Sequence, residues 1–228
     1  MSQYFGVAIS IEYVVITHME SKQIIYYTQA PGIKFEIELI EQFRRAVQFK
    51  EIDLPVSDGD IAQATLKGKY LITRAGNFTW VTIVINQKPT RFTREALHSF
   101  GIKFENRFGR EVKHFYTKFK GDTSIFKEDS FGRQSVDGII NEVLHLTFAL
   151  PHKLRFPTKK MSKRTAKIWE ICEDLARGKR YILLGEVLTR AKTELGEDPV
   201  GITDSIYNLV QAKFLVPIPM DEFMKDYA

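Results

Sequence analysis

IAQATLKGKYLITRAGNFTWVTIVI, residues 61–85, carries the strongest architectural signal in the chain. Residues 61–66, 70–73 and 78–85 are runs rich in β-branched and aromatic side chains, the types that fit a pleated, half-buried surface. The joints Lys67-Gly68-Lys69 and Arg74-Ala75-Gly76-Asn77 are short and each holds a glycine, as hairpin connections require. Three strands joined so tightly predict an antiparallel meander.

Ahead of it, Pro55 and Ser57-Asp58-Gly59-Asp60 form a loop, preceded by an apolar stripe at Leu39, Ile40, Phe43, Ala46 and Val47. That spacing predicts a helix over 35–49 with one buried face. Earlier still, 11–18 and 23–28 read as strands around the polar turn Met19-Glu20-Ser21-Lys22, closed by the break Ala30-Pro31-Gly32. After the meander, Lys88-Pro89-Thr90 leads into a long helix predicted over 93–119. Leu97, Phe100, Phe104, Phe108, Val112, Phe115 and Phe119 step along it by three or four residues. These rings are expected to pack on the sheet. Gly121-Asp122 ends the helix, and Val136, Ile139, Ile140, Val143 and Leu144 predict another over 134–147.

Composition shifts at Pro151. No acidic residue occurs between Val143 and Trp169, while HKLRFPTKKMSKRTAK (152–167) holds Lys153, Arg155, Lys159, Lys160, Lys163, Arg164 and Lys167. Pro157 argues against one continuous helix there. Residues 151–161 are therefore read as a basic linker between a domain over 1–150 and a second over 162–219, with a tail over 220–228. In the second domain Ser162 can cap a helix carrying Ile168, Ile171, Cys172 and Leu175. A short strand (181–183), two helices and a strand (214–218) follow. The acidic tail is too short for a further full strand.

The 228 residues are 44% hydrophobic and 27% charged, enough apolar material for one large or two small cores. The apolar start MSQYFGVAISIEYVVITHM has no basic leader and is interrupted by Glu12, so it reads as strand material rather than a secretion signal. No apolar run approaches the roughly 18 residues that span a bilayer. With only Cys172, an internal disulfide is ruled out, and a reducing cytoplasmic setting is expected; the sequon at Asn77 then has no meaning. The net charge of +5 permits nucleic acid, anionic membrane or an acidic protein as partner and demands none.

Chemistry-bearing motifs are absent from the sequence. There is no phosphate loop ending in Gly-Lys-Ser/Thr, no dinucleotide fingerprint, no His-Glu-x-x-His or Cys-x-x-Cys, and no Gly-x-Ser-x-Gly elbow. His98 and His114 read as helix-surface residues, Cys172 as a buried structural thiol, and Glu36, Glu38 and Glu41 as a solvated face. No cofactor, metal or catalytic residue is expected, and the chain is read as non-enzymatic. The seven basic residues of 153–167 are the anion- or partner-binding candidates. Charge alone would hold a phosphate there, so binding would fall steeply with salt.

The order strand-strand-helix-strand-strand-strand-helix-helix resembles the longin/roadblock group, in a profilin-like α+β fold with a five-stranded antiparallel sheet and flanking helices. YVVITHMESKQIIYY (13–27) is similar to that group's opening hairpin, GKYLITRAGNFTWVTIVINQKPTRFTREAL (68–97) to its meander running into a helix, and FGIKFENRFGREVKHFYTKFKGDTSIF (100–126) to its long helix. The C-terminal part resembles a winged helix. The resemblance implies a platform role in small-GTPase regulation or vesicle trafficking and tethering, with a small GTPase or another longin/roadblock protein as partner and homo- or heterodimers; the basic segment adds the expectation of a cytoplasmic protein peripheral at anionic membranes. The resemblance marks no binding residue. The alternative is a winged-helix DNA-binding regulator with an N-terminal sensor domain. Against it, the helix expected over 202–213 offers Asp204, Asn208, Gln211 and Lys213 but no arginine for base edges or phosphates.

Overall fold

The computed structural model describes residues 2–31, 33, 36–127, 134–196, 198–219, 222, 223 and 225. The protein is α+β and divides into two compact units, one comprising Ser10–His145 and the other Met1–Ile9 with Leu146–Ala228.

The first unit is a five-stranded antiparallel sheet in the order β2-β1-β5-β4-β3. Its strands are β1 (Ile11–His18), β2 (Gln23–Gln29), β3 (Ile61–Leu66), β4 (Lys69–Ala75) and β5 (Thr79–Ile85). Register places Val15 opposite Thr82 and Leu71 opposite Val84. Because side chains alternate across a strand, Tyr13, Val15, Leu71 and Val84 share one face. Helix α2 (Ile37–Gln48) covers it with Leu39, Ile40, Phe43 and Val47, so the expected stripe is the buried one. The expected start of α2, at residue 35, lies outside the described residues.

Helix α3 (Arg91–Lys113) lies against β4 and β5 and against α4 (Val136–Leu144). Thr90 and Thr93 cap α3 reciprocally, each side chain accepting from the other's backbone N–H, and Ser135 caps α4. The expected helix to 119 ends at Lys113 instead. Phe115 keeps its place in the apolar spacing, but it stacks on Phe126 with centroids 5.8 Å apart from a backbone already in turns. Periodicity reports which side chains are buried, and here non-helical turns satisfy it as well. Tyr26 of β2 donates a hydrogen bond to Asp137 of α4 and sets its ring edge-on to Phe126.

The second unit contains α1 (Ser2–Ala8), β6 (His152–Leu154), α5 (Lys163–Ala176), α6 (Leu184–Leu195), α7 (Pro199–Gln211) and β7 (Leu215–Pro217). Two sequence expectations are corrected here. Only the second half of the apolar start, Ile11–His18, is strand; its first half, Ser2–Ala8, is a helix. Phe5 and Ile9, one turn apart, are buried in a core with Ile168, Trp169, Leu184, Ile206 and Leu209, so long-range packing overrides the local β character of the run. The first nine residues thus belong with the C-terminal unit. Residues 151–161 are not all linker either. Pro151 and His152 are buried, and β6 pairs with β7 on one side and bridges Ile182 on the other. His152 and Ile182 exchange both backbone hydrogen bonds, at 2.8 and 2.9 Å. The middle strand of this small sheet therefore comes from ahead of α5. Alternation hides this in the sequence, since the half-buried Lys153 and the exposed Arg155 dominate the composition. Most of the tail 220–228 lies outside the described residues; Phe223 sets its ring edge-on to Tyr181.

Candidate functional site

Among the described residues no group of three or more His, Cys, Asp or Glu side chains could hold a metal ion, and no helix is long and apolar enough to cross a membrane. Cys172 is fully buried, and burial pushes its thiol up to about 12, far from a reactive thiolate. The buried His152 donates from Nδ1 to the Leu150 carbonyl at 2.7 Å; burial takes its imidazole down to about 4. Desolvation also lowers His18, whose Nδ1 meets the Ser21 hydroxyl at 3.0 Å. Among the described residues none of these three groups hydrogen-bonds to a second titratable side chain. The fold presents three candidate surfaces.

The first surface is the edge of β2. This seven-residue strand, Gln23-Ile-Ile-Tyr-Tyr-Thr-Gln29, pairs among the described strands with β1 alone and carries no charge and no proline. Edges are usually blunted by such residues, because unpaired N–H and C=O groups template another strand. Beside the edge runs an open groove of about 450 Å³, lined by Ile24, Tyr27, Ile37, Ile40 and Arg44 among others. Ile37 at the start of α2 is 61% exposed and Tyr27 48%. The groove's apolar lining comes from Ile37 and Ile40 of α2 and from Ile24 and Tyr27 of β2. Sequence reasoning missed this site, since which strand lies at the edge follows from sheet order and not from any one segment.

The second surface is the basic segment, which the fold divides. Lys153, in the middle of β6, pairs with Glu222 at 3.0 Å and is partly neutralised. Arg155 follows β6, its backbone N–H donating to the Phe214 carbonyl at 2.8 Å. Lys159 and Lys160 stand exposed on the irregular stretch before α5. Lys163 and Arg164 occupy the first turn of α5, capped by Ser162, and Lys167 lies one turn on. Lys163, Arg164 and Lys167 share a shallow polar groove with Asp204 and Asn208 of α7. The first turn of α5 contains no acid, so the positive end of the helix dipole adds to these cations. Phe156, in the middle of the segment, is 90% exposed; sequence reasoning did not single it out.

The outer side of α7 is the third surface. Val200, Asp204, Asn208 and Gln211 form its exposed stripe. Flanking this stripe, α1 packs on α7, with Gly6 against the Thr203 methyl and Phe5 edge-on to Tyr207 at 5.4 Å. A helix meant to enter a DNA groove needs that flank open and cationic; here it is partly covered, and the stripe itself carries one acid and no base. No protein-family model matches the chain, and no curated protein matches it in sequence.

Proposed function

We propose that this protein is a non-enzymatic interaction scaffold, a longin/roadblock-like domain joined to a winged-helix domain. In this reading the longin-like unit docks a small GTPase or another longin/roadblock protein, and the winged helix adds a second protein contact. The observation that carries it is the uncharged strand β2 at the edge of the described sheet, beside a largely apolar groove. A partner strand would complete the ladder with main-chain hydrogen bonds and rest apolar side chains on Ile37 and Tyr27. A second copy of the chain could use the same edge. The single, buried Cys172 supports a reducing cytoplasmic location. The DNA-binding alternative is the weaker, because α1 lies along the flank of α7.

The test is affinity purification with mass spectrometry, at two salt concentrations, of the wild-type chain beside Tyr27→Lys and Ile37→Glu. Both positions are exposed, so both variants should fold. The wild type should recover a small GTPase or a longin/roadblock protein, and each variant should lose it. Equal recovery by all three would remove the β2 edge from the account. Recovery of duplex DNA alone would favour the alternative.

A further inference from the structure

We propose that residues 155–164 form a membrane-docking loop, in which Phe156 enters the interface of an anionic bilayer while the cations on either side hold lipid phosphates. Phe156 is 90% exposed, the most exposed large apolar side chain among the described residues. Single exposed apolar residues are common on protein surfaces; the surroundings of this one set it apart. The loop is held at both ends. The Arg155 N–H donates to the Phe214 carbonyl at 2.8 Å, and the Ser162 hydroxyl accepts from the Thr165 N–H at 3.2 Å to start α5. Met161 packs on the core between these anchors. The ring is thus presented by fixed flanks.

Charge complements the ring. Arg155, Lys159, Lys160 and Lys163 are all exposed, and none forms an ion pair among the described residues. No acid occurs in the sequence from 143 to 169. Near an anionic leaflet each such cation multiplies partitioning by about fivefold. An aromatic ring at the headgroup level gains from leaving water while its neighbours stay among the phosphates. Single-stranded nucleic acid would also accept a ring among cations, but it is bound by a series of rings on which successive bases stack. In this unit Phe156 is the only exposed aromatic ring among the described residues. The bilayer is therefore the partner that the loop fits. Phe156 and its cations lie in a different unit from the β2 edge, so this inference does not rest on the scaffold reading.

Flotation of the full chain, with no other protein present, tests it. The vesicles are phosphatidylcholine alone and phosphatidylcholine with phosphatidylserine at roughly two to one. The wild type should float with the mixed vesicles and not with phosphatidylcholine, and salt should weaken it. Phe156→Ala should weaken partitioning about tenfold, Phe156→Trp should keep it, and Lys159→Glu with Lys160→Glu should abolish it. Circular dichroism should be unchanged in all, since none of these side chains is packed. The proposal is overturned if the wild type does not float at low salt or if Phe156→Ala floats like wild type. It is also overturned if the chain binds a single-stranded oligonucleotide through Phe156 more tightly than it binds the vesicles.

Discussion

The carboxylate of Glu105 occupies the space that a Cβ on Gly76 would fill. From α3 it accepts hydrogen bonds from the Asn77 N–H at 3.0 Å, the Asn77 amide at 3.0 Å, the Phe78 N–H at 3.2 Å and the Thr79 hydroxyl at 3.2 Å. One acid on the helix thereby organises the β4–β5 turn. Gly76→Ala should displace it and Glu105→Ala should delete it, each costing about 1–2 kcal/mol given the partial exposure of these bonds. Urea midpoints should show the two effects to be non-additive in the double variant; full additivity would mean that the glycine matters for another reason.

Arg74 is a buried cation, its side chain 4% exposed. Its Nη2 donates to Asp58 at 3.0 Å and its Nε to His98 at 3.4 Å, while Nη1 has no hydrogen-bond partner among the described residues. Asp58→Ala would leave the guanidinium under-compensated and should cost about 2 kcal/mol, below the range for fully buried pairs because Asp58 is half exposed. Adding Arg74→Met to Asp58→Ala should restore part of that loss. Thermal denaturation of the single and double variants decides; a double variant less stable than Asp58→Ala would contradict the account.

Each unit contains one tryptophan, Trp80 in the sheet and Trp169 in the helical unit. Phe5→Ala should open a cavity among Phe148, Tyr207 and their neighbours and cost about 3–4 kcal/mol. Gly185→Ala should act in the same place, since a Cβ there would come within 2.9 Å of the Ile9 carbonyl oxygen. Followed by fluorescence in Trp80→Phe and Trp169→Phe backgrounds, both changes should lower the Trp169 transition more than the Trp80 transition. The reverse order would place α1 wrongly.

His152 makes stability depend on pH. Burial takes its folded value down to about 4 from the ordinary 6.5, against the opposing pull of the Leu150 carbonyl. Between those values the unfolded chain takes up a proton that the folded one refuses. The stabilisation is complete above about pH 6.5 and is lost as pH falls towards about 4, with a total near 3 kcal/mol. His152→Gln, whose amide can still donate to Leu150, should flatten stability over that interval. An unchanged slope would show that other groups set it.

The meander and the α2 stripe could be read from sequence because their partners lie a turn or a hairpin away. Leu39, Phe43 and Val47 repeat at the helical period, and the joints around Gly68 and Gly76 are short enough to force pairing. Phe5 and His152 could not be read this way. Their partners, Tyr207 and Ile182, are distant in sequence, and each sits in a segment whose composition suggests something else. The site was legible only as charge. That Lys153 is matched by Glu222, that Phe156 faces water and that β2 is an edge are all consequences of tertiary placement.

The helical unit gathers its residues from both sides of the sheet unit, and this sets a timetable for biosynthesis. Phe5 and Ile9 leave the ribosome before any of their neighbours exist. At about 5–20 residues per second, α7 follows roughly ten to forty seconds later. Over that interval the sheet can form while Phe5 and Ile9 have no core to sit in. A nascent-chain chaperone would cover those apolar side chains, and a stall before α7 would leave them unprotected.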